Sequence, residues 1–148
     1  MPIETSLSES VSLFDAFHSP EPFVIDVGGE GRHEEAWNVN PSRVRTFGPF
    51  RGQPIPRLIL GRSDAIPLPN HCVDKIIVER TPLLQIAVFE LQRIARPRAL
   101  IILRHARPFG TDPHQLARKI LLGECVTGEC KTASRRYQET IILLRPAR

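Results

Sequence analysis

No stretch of this chain approaches the ~20 consecutive apolar residues that a membrane-crossing helix needs, so no segment is expected to span a bilayer. Met1-Pro-Ile-Glu-Thr-Ser has no basic segment followed by an apolar one, so a secretory leader is not expected and the cytoplasm is the expected location. Cysteine is scarce and odd in number. Cys72, Cys125 and Cys130 fit a reducing compartment better than a disulfide framework. Neither a second close pair nor an HxxxH accompanies Cys125 and Cys130 to complete four ligands, so no metal site is expected. Lysine is scarcer than its charge partner: 3 Lys against 17 Arg supply the net charge of +4. Arginine's planar fork suits phosphate and carboxylate, yet the same bias arises from base composition alone. The arginines are scattered and not interleaved with aromatics, as a single-strand nucleic-acid surface requires, so nucleic acid is not an expected partner. Internal repeats and low-complexity segments are missing as well.

The 148 residues, 41% apolar and 24% charged, are those of one ordinary soluble domain, residues 1–148. They are organised around Phe23-Val-Ile-Asp26-Val-Gly28-Gly29-Glu30-Gly31, a run of β-formers ending in an acid and three glycines. Two readings are open here: a simple turn, or a strand end where a ligand approaches the backbone.

Ser6-Leu-Ser-Glu9 has capping-box spacing, and Leu7, Val11, Phe14 and Phe17 follow at helical intervals, which predicts a helix over 6–18. Strands are predicted at Phe23–Val27, Trp37–Asn40, Arg57–Leu60, Val73–Val78 and Ala99–Leu103, and the continuous apolar character of the first suggests a parallel sheet buried on both faces. Thr81-Pro82 reads as the cap and first position of a helix ending near Arg96, before Pro97. Asp112-Pro113 reads as the cap of another, with Leu116, Ile120 and Leu121 inward and Gly123 at its end. The tail, 124–132 and 137–144, reads as two antiparallel strands joined by Ala133-Ser-Arg-Arg136. Residues 32–36 leave barely one helical turn where a parallel crossover needs a dozen residues or more. From Pro41 to Pro56 four prolines and Arg43, Arg45 and Arg51 mark an irregular basic loop, either a solvated connection, a ligand-binding lid or, on a weaker reading, an RNA contact.

The motifs resemble a known family. Asp64-Ala-Ile-Pro67-Leu-Pro69-Asn-His-Cys-Val-Asp74-Lys-Ile-Ile-Val resembles the D-A-x-x-L-P-F-x-D-x-S-F-D-x-V stretch of class I S-adenosylmethionine-dependent methyltransferases. Glu90-Leu-Gln-Arg93-Ile-Ala-Arg-Pro97-Arg-Ala resembles their E-x-x-R-V-L-K-P-G-G, and Val24 to Gly31 resembles their glycine-rich first motif. The resemblance covers roughly residues 23–144. It implies an α/β fold, a doubly wound, mostly parallel, Rossmann-like sheet closed by a C-terminal antiparallel hairpin.

It also implies roles. Gly28, Gly29 and Gly31 would let the methionine portion of S-adenosylmethionine lie against the backbone, with Asp26 ordering that loop. Asn40 stands where the family has an acid for the ribose hydroxyls, Asp64 matches the acid on the adenine amino group, and Ala65 borders the ring. Glu79 and Arg80 leave the fourth strand near the methyl group, and Glu79 and His105 are the candidate bases. Outside the resemblance, Asp64 reads equally as a turn cap and His105 as a solvated loop residue.

Three departures accompany the match. The family's glycines alternate with other residues, whereas Gly28 and Gly29 are adjacent, as though one residue were missing. The helix behind them is nearly absent, and an amide replaces the ribose acid at Asn40, a weaker acceptor for hydroxyls. With helices missing on one face, apolar sheet surface is left for a partner protein or a second copy to cover. The expectation is a small methyltransferase acting on a small molecule or other acceptor; the alternative is a non-catalytic interaction or regulatory module.

Overall fold

The structure, a computed structural model, describes residues 12–107, 110–132 and 135–146. In chain order the elements are α1 (Leu13–His18), β1 (Val24–Val27), β2 (Trp37–Asn40), β3 (Leu58–Leu60), β4 (Val73–Glu79), α2 (Gln85–Ile94), β5 (Ala95–His105), α3 (Gln115–Ile120), β6 (Gly123–Thr132) and β7 (Arg135–Leu144). They build one seven-stranded sheet of order β3-β2-β1-β4-β5-β7-β6, parallel except where β7 runs against β5 and β6. This is the doubly wound α/β sheet with a closing hairpin that the motifs imply.

Alternation along the strands divides the two faces. Ile25, Ile76, Ile101 and Ile142 stand opposite one another across four strands, and each is fully buried. Each such side chain stabilises the fold by about 1.5–3 kcal/mol, so this row is the spine of the core. All three helices pack on this face, α2 through Val88, Leu91 and Ile94, α3 through Ala117, and α1 through Leu13, Ala16 and Phe17. On the opposite face the next row is Asp26, Ile77, Ile102 and Ile141. Only a small cluster of Val24, Ala36 and Ile77 forms there. Toward the hairpin that face opens, with Leu143 44% and Val126 71% exposed.

Several elements differ from the sequence expectation. The helix expected to begin at Thr81-Pro82 begins at Gln85, and its N-cap, Leu84, makes no side-chain bond. Thr81 is diverted: its hydroxyl donates to Val27 O at 3.2 Å, which ties the end of β4 to the end of β1. β5 is longer than Ala99–Leu103, taking in Pro97 and an irregularity where Arg98 adopts φ 67°. Asp112 does not cap α3: its carboxylate accepts from His114 N at 2.9 Å in the turn before the helix, whose N-cap, His114, makes no side-chain cap bond. That helix has only six residues, and it turns Ala117 inward while Leu116 stays 38% exposed; Gly123 opens β6. At the N-terminus Phe14 is exposed, and Phe17 packs edge-on against Phe23 with centroids 4.9 Å apart. Residues 6–11 of the first predicted helix and 133–134 of the hairpin turn lie outside the described residues.

Candidate functional site

In a doubly wound sheet ligands bind beyond the carboxyl ends of the strands where the strand order reverses, here between β1 and β4. The glycine loop leaves β1 at this point. Gly28 N donates to Val39 O at 2.7 Å, which folds the loop back over β2. A Cβ on Gly29 would overlap the Asp26 carboxylate and the Asn38 amide. Gly31 adopts φ +114°, and a Cβ there would come within 2.9 Å of Arg45 Nη2 and 3.0 Å of Pro56. Gly28 itself sits against the Thr81 hydroxyl. The close approaches that the glycines permit are therefore all made by this chain's own side chains.

Asp26 is fully buried and accepts two bonds from Arg32, from Nε and Nη2, both at 2.8 Å. Burial pushes its carboxyl above the ordinary range, although Arg32 pulls the other way. Arg32 Nη2 also reaches Glu79 O at 3.2 Å. Glu79 Oε1 accepts from His33 Nε2 and from Arg104 Nη1, each at 2.7 Å, and Arg104 Nε donates to Glu139 at 2.7 Å. Burial opposes ionisation of Glu79, but the His33 and Arg104 bonds and the Arg32 charge outweigh it and hold the carboxyl below its usual value.

Asn40 is 6% exposed. Its Nδ2 donates to Gly29 O at 3.0 Å and faces Gly28 O at 3.5 Å, while its Oδ1 accepts from Ser42 N at 2.9 Å. Asp64 and Ala65 stand beyond β3, two strands from the glycine loop, both exposed. Asp64 takes a 3.2 Å bond from Arg62 and keeps 41% of its side chain in solvent. Arg80 adopts φ 65° and lies over the Tyr137 ring at 5.4 Å.

His105 is buried, and the geometry fixes its tautomer. Its Nε2 lies 2.6 Å from Thr81 O, an acceptor, so Nε2 carries the proton. Nδ1 then accepts from His114 Nε2 at 2.8 Å, and His114 Nδ1 accepts from the Thr140 hydroxyl at 2.7 Å. Both rings are neutral; burial lowers the pKa of His105, and burial together with the neighbouring His105 lowers that of His114 to about 4.

The structure thus gathers Asp26, Gly28, Gly29, Gly31, Asn40, Glu79 and Arg80 at one edge, brings His105 to it through Thr81, and leaves Asp64 and Ala65 apart. Sequence reasoning passed over Arg32, His33, Thr81 and Arg104. Arg32-His33 directly after the glycines was a readable signal, since a buried acid such as Asp26 calls for a cation nearby.

Sheet order, reversed β7 and glycine-loop edge together define the class: the chain has the fold of class I S-adenosylmethionine-dependent methyltransferases. Among solved structures it is similar to an S-adenosylmethionine-dependent methyltransferase from Thermotoga maritima, a possible histamine N-methyltransferase, at 14% identity and TM-score 0.66 over 97% of this chain and 94% of that one. It is similar to the antibiotic-resistance methyltransferase Kmr at 15% identity and TM-score 0.62, over 92% of each chain. A 16S rRNA (adenine(1408)-N(1))-methyltransferase mutant from Catenulisporales acidiphilia, solved with its cosubstrate S-adenosylmethionine, matches at 15% identity and TM-score 0.57 over 91% of each chain. No protein-family model and no curated protein sequence matches the chain.

As arranged, the glycine-loop edge does not fit S-adenosylmethionine, the group this fold implies. The amide at the ribose position is turned onto the glycine loop, and Arg45 covers Gly31.

Proposed function

We propose that this chain is a binding protein built on a methyltransferase fold, in which the cofactor edge serves as internal structure. The observation that supports this reading is Asn40, whose amide is spent on Gly29 O and Ser42 N instead of facing outward. His105 supports it too, because Thr81 O takes its Nε2 proton and His114 occupies its Nδ1, which leaves no acceptor atom for a substrate proton, and Glu79 is neutralised by His33 and Arg104 on Oε1 with Arg32 3.7 Å from Oε2. Within this reading the open sheet face around Leu143 and Val126 is a contact surface for a second copy of the chain.

A second reading, a methyltransferase that binds S-adenosylmethionine and acts on a small-molecule or other acceptor, is favoured by Asp64. It keeps a half-open carboxylate at the family's adenine position, beside exposed Ala65. Calorimetric titration with S-adenosylmethionine and S-adenosylhomocysteine separates the two. Under the first reading neither gives heat at millimolar concentration; saturable heat that Asp64→Ala abolishes would establish the cofactor binding that the second requires and remove the first.

A further inference from the structure

One cleft at this edge shares Glu79 and Arg80 with the candidate site and carries charges that neither reading uses. It has a volume of about 270 Å³ and lies between the glycine loop, the turn at 45–50 and the end of β4, lined among others by Glu30, Arg32, Arg45, Phe47, Phe50, Glu79 and Arg80. Neither Asn40 nor Asp64 reaches it.

Its charges divide into those already matched and those left over. Glu30 accepts from Thr46 N at 3.0 Å and from the Thr46 hydroxyl at 2.6 Å, which pins the turn to the glycine loop. Glu79 is taken by His33 and Arg104, and Arg32 by Asp26. Arg45 and Arg80 have no carboxylate partner among the described residues. Each is braced on an aromatic ring, Arg45 over Phe50 at 5.3 Å and Arg80 over Tyr137 at 5.4 Å, so each fork is held in place before any ligand arrives. Arg45 is short of acceptors even internally, because its Nε is buried without a hydrogen-bond partner. A polar group left so is costly, and an anion on the same guanidinium offsets that cost.

We propose that this cleft binds a small organic phosphate carrying a flat ring, of mononucleotide size, with Arg45 and Arg80 on the phosphate. Two guanidinium forks match a phosphate's charge and its several acceptor oxygens better than a single carboxylate. Phe47 and Phe50 stand 59% and 52% exposed at the rim and offer the ring a flat apolar surface. The volume lies just below the usual range for ligand pockets, which excludes a dinucleotide. The inference deepens the binding-protein reading by naming a ligand class for it.

The test uses the full chain and uridine monophosphate, which has no adenine to engage an S-adenosylmethionine site. The expected result is saturable heat and a raised Tm, with uridine at least tenfold weaker. Arg45→Gln and Arg80→Gln should each weaken binding at least tenfold, and Phe47→Ala, which leaves the Arg45 brace on Phe50 intact, should weaken it while leaving inorganic phosphate unaffected. Arg80 is exposed, so Arg80→Gln carries the test if the Arg45 variant disturbs its turn; circular dichroism of each variant checks the fold. The proposal is overturned if uridine monophosphate gives no saturable signal at millimolar concentration, if uridine binds equally well, or if Arg80→Gln binds like wild type. A steeply salt-dependent response to oligouridine with none to the mononucleotide also overturns it, in favour of a strand-binding surface. S-adenosylhomocysteine is titrated in parallel. Heat from it overturns the binding-protein reading whatever the mononucleotide does, whereas silence from both ligands overturns only the present inference.

Discussion

Gly29 has no room for even a methyl group, since the Asp26 carboxylate and the Asn38 amide occupy the place where its Cβ would go. Gly29→Ala therefore has to push apart a buried ion pair or lift the loop, a cost of roughly 1–3 kcal/mol by the usual scale of overpacking. Urea unfolding should show a lower midpoint at unchanged slope; a midpoint equal to wild type would mean that the loop does not pack on Asp26 as described. Asn40→Asp is the sharper residue test. It restores the family's acid, but a carboxylate has no N–H for Gly29 O and sets a charge beside two carbonyls, so a loss of about 2–3 kcal/mol is expected. An undiminished midpoint together with S-adenosylhomocysteine binding by Asn40→Asp would instead mean that the edge can open. Positions such as Asn40 and Asp64 were legible because motif order places them at strand ends. The state of Asn40 was not: its partners are backbone atoms of a loop 11 residues earlier, and Glu79 meets His33 from 46 residues away.

At the scale of elements, the buried rows set the strands. Val24–Val27, Trp37–Asn40 and Val73–Glu79 could be read as short β-former runs between turn signals, but no described residue from Gly28 to Cys72 is helical, so their parallel order was implied by the motif resemblance and not by helices between them. The helix starts were less legible. Thr81-Pro82 has the local signature of a helix N-terminus, and the tertiary bond from Thr81 to Val27 O outweighs it. The connection among β5, α3 and β7 could not be read at all, because it is a chain of side-chain bonds: Thr81 O, His105, His114 and Thr140. Asp112 and Arg118 bond to one another beside His114, and Gln138 Nε2 donates to Asp112 at 2.6 Å. Burial of both rings disfavours a positive charge on either, so the folded state resists protonation that the unfolded chain accepts. With the His114 pKa near 4 folded and near 6.5 unfolded, its contribution is whole above pH 6.5 and is lost as pH falls toward 4. The loss is expected to reach up to about 3 kcal/mol, by the conversion of pKa shift to free energy. Chemical unfolding at a series of pH values should show it, and His114→Gln, less stable at pH 7, should show a flatter profile over this window. An equal slope in the variant would assign the acid sensitivity elsewhere.

For the whole molecule, the consequence of the shortened crossovers is a sheet clothed unequally. On the helix-covered face Ile25, Ile76, Ile101 and Ile142 are sealed. On the other, the row of Ile77, Ile102, Ile141 and Val126 passes from 2% through 8% exposure to 71% at β6, because no described helix lies over β5 to β6 on that side. Such a strip loses solvent-facing apolar area when one copy meets another through a two-fold axis, and one self-complementary patch is enough for that contact. Mass action then makes apparent stability depend on protein concentration. The Tm of the wild-type chain is expected to rise over a hundredfold increase in concentration, and the rise should vanish in the double variant Val126→Lys, Leu143→Lys. Both side chains are exposed in the single chain, so the variant should keep its dilute-solution stability to within about 0.5 kcal/mol. Sedimentation velocity reads the same equilibrium directly. A wild-type Tm constant with concentration, with one monomeric boundary throughout, would leave this face wet and remove the second copy from the account.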